Sequence, residues 1–559
     1  MPQQFRMQNP PYSRSAASLL ALVTSIACGS DDAPSSRSDG AGQGSESPAP
    51  PVNEGLAGTN GPLAGGADGM SPATNGSEAL PTPTLGPGLG GIPAMSAMPG
   101  MEPIPQPVDP NVSGATIIND QFWKDTSGTP IYSQGGGMLQ VGDTYYWYGV
   151  KYRGAVTYAA NPTTLNSDTG FAGITTYSSK DLVNWTLEAT DMPGSTGGWF
   201  GRLGVAYNAS TKKYVLVAQG GGGLYFATSD RPSGGFVLNN IQATPPGIAN
   251  GGTGDQTIFQ DDDGQAWLVS SSKNGRANAY VSRLRPSDFL AAENAILVYR
   301  NGGREGNCMF KYEGTYYFCS SDLHGWNTSQ TYCVSATDIR GPYGAEFVLE
   351  GTQADYSHVT QSGFFFNVNG TEQTTVVYAG DRWSDFAGNG LGFNQWMPLS
   401  FAGGTPYFHS LSAWTLNAAT GDWKVAPENN WILNPSFEAD RISVTTPIGW
   451  TTSGGVNATD RRNGRWSWQL TGNGSVVQTI TNLPNGTYTL SVWARSSGAG
   501  AQIRVKKLGG AEQTGAIPAN NNWTNVTLEG LVVSDGQAEV SVTSSGQTVQ
   551  VDDFTLSGD

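Results

Sequence analysis

Two carboxylates in this 559-residue chain stand where acid–base chemistry is favoured. Glu305 directly precedes the strand-like run GNCMFKYEG, in which Met309 and Phe310 supply an apolar wall. A carboxyl group against such a wall resists ionising, so it can keep a proton and donate it. A solvated turn glutamate is the plainer reading of the same residues. Asp255, in GGTGDQTIFQDDDGQAWLVSS, is isolated and next to an apolar run. From there it could tune a donor by charge repulsion or hydrogen bonding. Asp261, Asp262 and Asp263 read instead as the acids of a hairpin turn, and EF-hand spacing is absent. Breaking a glycosidic bond needs a proton donor to the leaving oxygen. It also needs a group that positions or activates water on the opposite face.

Aromatic side chains are the third ingredient. Sugar rings stack their C–H faces on indole and phenol rings, while their hydroxyls require polar partners. Trp199, Trp326, Trp383 and Trp396 lie in Gly- and Asn-rich connections, where a sugar-binding role competes with ordinary core packing. Arg202, Asp381, His324 and His358 are grouped with them as polar contacts to substrate. His409 reads as a structural histidine.

Elements that could position these residues are short strands. Between residues 117 and 424, aromatic and β-branched runs alternate with Gly, Asn and Asp turns. A turn followed by an aromatic-rich strand recurs five times, as GDTYYWYGV, TKKYVLVAQG, DGQAWLVSS, EGTYYFCSS and EQTTVVYAG. Five such units predict a five-bladed β-propeller over 113–425, with a large sandwich or a β-helix as the alternative. In a propeller, inner strand ends from different blades aim at one central depression. Over 430–559 the texture changes to dense period-2 alternation, which predicts a β-sandwich jelly roll. The fold class is therefore all-β.

The formal net charge of −16 repels phosphate backbones and argues against a nucleic-acid partner. Cys308, Cys319 and Cys333 cluster and allow one disulfide in an oxidising compartment. Neither a histidine nor a fourth thiol stands at zinc-finger spacing from them. Residues 1–28 read as an export signal, with Arg6 and Arg14 before the apolar SAASLLALVTSIAC. Its end, SIAC, resembles a bacterial lipobox, which would make Cys28 the lipidated residue. Residues 29–112 are rich in Gly, Pro and Ser and read as a disordered tether.

Residues 115–415 resemble glycoside hydrolase family 43, in particular its exo-β-1,3-galactanase branch. The resemblance rests on the joint order of FWKDTSGTPIYSQGGGMLQVGDTYYWYG, GDQTIFQDDDGQAWLVSS, REGNCMFKYEGTYYFCSSDLHGW and YAGDRWSDFAGNGLGFNQWMPLSF. It implies a five-bladed propeller that inverts anomeric configuration. Glu305 would be the general acid and Asp255 the aspartate that modulates and orients it. Gln361, in SHVTQSGFFF, matches a glutamine thought to position or activate water. The chain departs from the family where the first blade reads SQGGGM, without the aspartate most members carry. It departs again at Gly201, where the branch has a sugar-contacting glutamate, and at REGN, which replaces REAP. The C-terminal region, with NPSFE and a following GW, is similar to family 4/9/22 carbohydrate-binding modules. In those modules a structural calcium often sits near the first and last strands, and Glu438 and Asp552 are its candidate ligands here. Trp466 and Trp493 would face a glycan or fill the sandwich.

These readings predict an exo-acting, inverting hydrolase that releases galactose from β-1,3-galactan or arabinogalactan. The alternatives are an α-L-arabinofuranosidase or β-xylosidase on the same scaffold, or a surface lipoprotein that binds glycan without cutting it. No catalytic cofactor is expected. The expected partner is plant or microbial polysaccharide. The chain is expected to be a monomer at the bacterial cell surface or outer membrane, touching the membrane through its lipid alone, or to be secreted.

Overall fold

The computed structural model describes residues 112–559, apart from 162–167, 169, 193–199, 250, 301, 326, 385–388 and 442. Of 383–384 and 389–393 it describes the backbone alone. Cys28, residues 29–111 of the segment expected to be a tether, Trp199, Trp326 and the side chain of Trp383 thus lie outside the described residues. All described residues belong to one compact unit.

The sequence predicts five blades; the structure has six. Five are four-stranded antiparallel sheets. Their first strands are Gln134–Val141, Phe200–Asn208, Thr253–Gln260, Glu305–Tyr312 and Gln361–Asn369. Each recurrent turn-plus-strand unit of the sequence forms the second strand of one of these sheets, Thr144–Tyr152 being the earliest. The sixth blade has three strands and joins the two ends of the domain. Ala115–Ile118 pairs antiparallel with Ala413–Leu416, which pairs with Trp423–Val425. Its outermost partners are some 300 residues apart in the chain, so no local repeat announces it.

One irregularity recurs in all five four-stranded blades. Each first strand slips register near its start, between Gln134 and Gly137, Phe200 and Leu203, Thr253 and Gln256, Glu305 and Cys308, and Ser362 and Phe364. A β-bulge turns a side chain away from the pleat and toward the barrel rim. Gly135 and Gly306 supply the positive φ, +58° and +60°, that two of these bulges use.

Aromatic packing fills the propeller. Trp396 is fully buried, with its ring centroid 4.9 Å from both Trp123 and Trp147. This overturns its assignment as a sugar contact. The Gly- and Asn-rich stretch read as a connection is the strand Asn389–Ala402, and Trp396 points into the core from it. Cys319 and Cys333 face each other on neighbouring strands and form a disulfide, which leaves Cys308 a buried thiol.

The C-terminal sandwich is built on one long strand, Gln537–Gly558. Ser467–Thr481 runs along one edge of it; Gln502–Lys506 and then Gly486–Ser496 follow along the other. Burial alternates residue by residue from Thr487 to Ser496, as period-2 patterning requires. Phe437, Trp450, Trp468 and Phe554 lie at its core.

Sandwich and propeller meet at Arg441. Its guanidinium pairs with Asp322 at 2.8 Å, donates to the Thr328 carbonyl at 2.8 Å and lies over the Tyr356 ring. Trp431 packs against both cores. Arg441→Ala leaves Asp322 short of its partner at a largely buried contact, a loss of about 1–3 kcal/mol. Differential scanning calorimetry should then show the two domains unfolding at more widely separated temperatures than in the native chain. Superimposable traces would refute this account of the interface.

Candidate active site

The inner-strand bulges bring residues from four blades together. Arg202 sits at the centre, 4% exposed. Its Nε donates to Asp255 Oδ2 at 3.0 Å, its Nη2 to Gln361 Oε1 at 2.8 Å, and its Nη1 reaches Asp381 Oδ2 at 3.4 Å. Gln361 in turn donates from Nε2 to Glu305 Oε1 at 3.1 Å and to Ser321 Oγ at 2.8 Å. Glu305, Asp255, Gln361, Arg202 and Asp381 therefore form one continuous network.

Electrostatics divide the carboxyls into two roles. Burial, then repulsion from Asp255, pushes Glu305 up to about 8. Burial also opposes ionisation of Asp255, but Arg202, Arg276 and the Gly306 amide outweigh it and hold its pKa below the usual value. Asp381, raised to about 6 by burial, is tied down by Arg202, the Gly135 amide and Asn394. At neutral pH the site thus presents a protonated glutamic acid beside an ionised aspartate, the separation that acid catalysis requires. The acid-free SQGGGM segment has a purpose here. Its bulge delivers a backbone N–H to Asp381, and a Cβ at Gly135 would come within 3.3 Å of Arg202 Cγ.

Gln361 is held by an unusual turn. Tyr356, Ser357, His358 and Val359 all have positive φ, between +53° and +58°. A left-handed turn of non-glycine residues costs about 1–2 kcal/mol per residue, so its surroundings must enforce it. Asp355 accepts from the His358 amide, and Ser357 bonds Thr331 and the Ser329 carbonyl. The His358 ring is engaged at both nitrogens, by Ser410 at 2.8 Å and Asp120 at 3.2 Å. His358 is therefore a clamp on the turn that aims Gln361, and its assignment as a sugar contact is corrected. His324 lies half-buried on the loop after Ser321, and burial and then Arg441 lower its pKa.

Sequence reasoning missed Arg276, which reaches in from the loop after the second strand of blade 3. It pairs with Asp255 at 3.4 Å and approaches Glu305 at 3.6 Å. No local pattern marks it, because it comes from a turn and acts only where the blades meet. A surface cavity of about 880 Å³ lies elsewhere, lined by Asp261, Trp267, Arg283 and Arg340 among others and by none of the network residues.

In the sandwich, Glu438 and Asp552, the expected calcium ligands, both turn their carboxylates toward the 461–466 turn. Glu438 accepts from the Arg465 and Trp466 amides, and Asp552 from those of Arg462 and Asn463. These bonds bind the 461–466 turn, and no cluster of three or more metal-ligating acidic, histidine or cysteine side chains occurs among the described residues. Trp466 is core, with its Nε1 bonded to the Asp440 carbonyl. Trp493 is half-buried beneath the Arg462 guanidinium.

Residues 137–386 match the model of glycosyl hydrolases family 43, and the family recognised from the motifs is borne out. An Aspergillus niger β-D-galactofuranosidase is 29% identical over 199 residues, 32% of this chain and 57% of that protein. The chain thus spans little more than half the length of this curated relative. An exo-β-1,3-galactanase from Phanerochaete chrysosporium, solved with β-1,3-galactotriose, superposes with TM-score 0.50 at 22% identity. The alignment covers 79% of this chain and 99% of the galactanase, and it shows a shared fold. A Clostridium thermocellum exo-β-1,3-galactanase is 20% identical, with TM-score 0.49, over 79% of this chain and all of that one.

Two expectations follow from the site. Asp120 and Asp355 outweigh burial and raise His358 to about 9, above its unfolded value near 6.5. Its stabilising contribution is therefore full below about 6.5 and lost as pH rises through about 9. His358→Gln should lower the urea midpoint at pH 6 and lose most of that deficit at pH 9.5; an equal deficit at both would exclude the ion pair as its cause. Glu305 has the opposite sign. Its folded pKa of about 8 exceeds the unfolded value, so stability falls between pH 4.5 and 8 as the unfolded chain alone ionises. Glu305→Gln should match the native protein at pH 4 and exceed it at pH 7.5 in the same titration.

Proposed function

We propose that this chain, carrying a glycosyl hydrolases family 43 domain over residues 137–386, is an exo-acting, inverting glycoside hydrolase. It releases terminal galactose from β-1,3-galactan or arabinogalactan side chains. The observation that carries this reading is the unbroken chain from Glu305 through Gln361 and Arg202 to Asp255. A surface that merely captured glycan would have no use for a buried, protonated glutamic acid beside an ionised aspartate.

In the reaction, Glu305 passes its proton to the departing glycosidic oxygen while water attacks the anomeric carbon from the other face and releases its own surplus proton to solvent, from which Glu305 is reprotonated for the next turnover. Gln361 accepts from Arg202 and donates to Glu305 and Ser321, so its first task is to orient the acid. Asp255 stays ionised and repels negative charge on Glu305, which keeps the proton in place until substrate takes it. A neutral amide is a poor base, so Gln361 contributes to water by orientation alone. The sandwich serves as a polysaccharide-binding module. The SIAC segment supports lipid attachment at Cys28, which would place the enzyme at the cell surface.

The galactofuranosidase relative favours one second reading, a hydrolase of terminal furanosides. The test is a product assay on β-1,3-galactan, arabinogalactan, and aryl galactopyranosides and galactofuranosides, with Glu305→Gln beside the native chain. Galactose release from galactan, reduced about 10²–10⁴-fold in the variant, is expected. Activity should decline above about pH 8 as Glu305 ionises. Cleavage of furanosides alone would favour the second reading. Binding without cleavage of any substrate would refute the hydrolase.

A further inference from the structure

Arg276 has a buried donor with nothing to donate to. Its Nη1 bonds the Lys273 carbonyl at 2.6 Å and its Nη2 reaches Asp255 Oδ1 at 3.4 Å. Its Nε is buried without a hydrogen-bond partner among the described residues, 3.6 Å from Glu305 Oε2. The arginine is built into this place. Its own φ is +48°, an uncommon value for a side chain of this size. Its stem crosses Gly254, where a Cβ would come within 2.8 Å of Arg276 Cδ and Nη1.

The hydrogen bonds also divide the two oxygens of Glu305. Gln361 donates to Oε1, the role a carbonyl oxygen fills best, which leaves Oε2 as the better place for the proton. Oε2 is the oxygen that Arg276 Nε approaches. Two N–H and O–H donors face each other there, which accounts for a separation too long for a hydrogen bond. Once Oε2 gives up its proton it becomes an acceptor with negative charge. The waiting Nε–H can then bond to it.

We propose that Arg276 is a positioning residue for proton transfer, whose unpartnered Nε receives Glu305 Oε2 as that oxygen becomes a carboxylate. The inference rests on Glu305 being the general acid. The charges around the pair agree with it. With Glu305 protonated, Arg202 and Arg276 balance Asp255 and Asp381. Arg304, next in the chain, is engaged by Glu346 and stacks on Tyr332. Cys308, the remaining titratable group against Arg202, is a buried thiol held neutral by its surroundings. Proton transfer to the leaving group therefore adds one negative charge to a balanced site, and Arg276 is the cation beside it. A charge-assisted bond formed only as the proton leaves lowers the barrier without tightening the ground state.

Loss of that bond should matter most where the leaving group needs the proton. Arg276→Gln should lower kcat at least tenfold on galactan or an alkyl galactoside. The loss should be markedly smaller on a p-nitrophenyl galactoside, whose leaving group departs without help. The alkaline limb of the pH–rate profile should move upward, and Arg276→Lys should restore part of both. Equal losses on alkyl and aryl substrates with an unmoved limb would overturn the proposal. Infrared titration of the protonated carboxyl band that Glu305→Gln abolishes needs no substrate. If the native chain cleaves no glycoside, the hydrolase reading fails, and this band still decides the coupling: it should ionise at higher pH in Arg276→Gln, and an unchanged midpoint would refute it.

Discussion

The structure turns on a guanidinium buried at the propeller axis. Arg202 has almost no contact with solvent, so its charge must be met by neighbours in the protein. It is met by carboxylates from blades 3 and 5 and by an amide oxygen from blade 5. Each of these side chains leaves a strand of a different sheet or a different position along it. Blades that did not close in register would strand a charge in low dielectric. Such a centre contributes little net stability, since desolvation offsets the attraction. Its effect is to penalise every arrangement of blades but one.

The same centre sets the chemistry. Two carboxyls close together do not both ionise easily, and the nearby cations decide which one does. Arg202 and the Gly306 amide both act on Asp255 Oδ2, so Asp255 takes the charge. Among the described residues Glu305 accepts one side-chain hydrogen bond, from the Gln361 amide, with Arg276 farther off at 3.6 Å, and it keeps the proton. The division depends on which donors the bulges aim at which oxygen. Neither SQGGGM nor Gly201 places an acidic side chain in this division.

Support for the centre comes from outside the axis. A left-handed turn held by His358, Asp355 and Asp120 feeds Gln361 into place. The loop beyond Ser321 is braced by Arg441 from the sandwich. The C-terminal domain thus stiffens the rim next to the acid's own blade. Precision at a reacting centre requires such second supports, since small displacements of the acid cost rate steeply.

Much of this was legible in the sequence. Period-2 alternation and the turn-plus-strand units determined an all-β chain with a propeller before a sandwich. The order of motifs around Glu305 and Asp255 determined the family, because an acid beside an apolar run carries its own environment with it. Four features were decided by tertiary structure alone. The sixth blade forms by pairing two ends of the domain, which leaves no period to read. Trp396 is core and His358 a clamp because neighbours distant in sequence surround them. Arg276 reaches the acid from a turn, across a glycine that makes room for it. Local sequence sets what a segment can become; which oxygen faces which cation is fixed only when the blades close on one another.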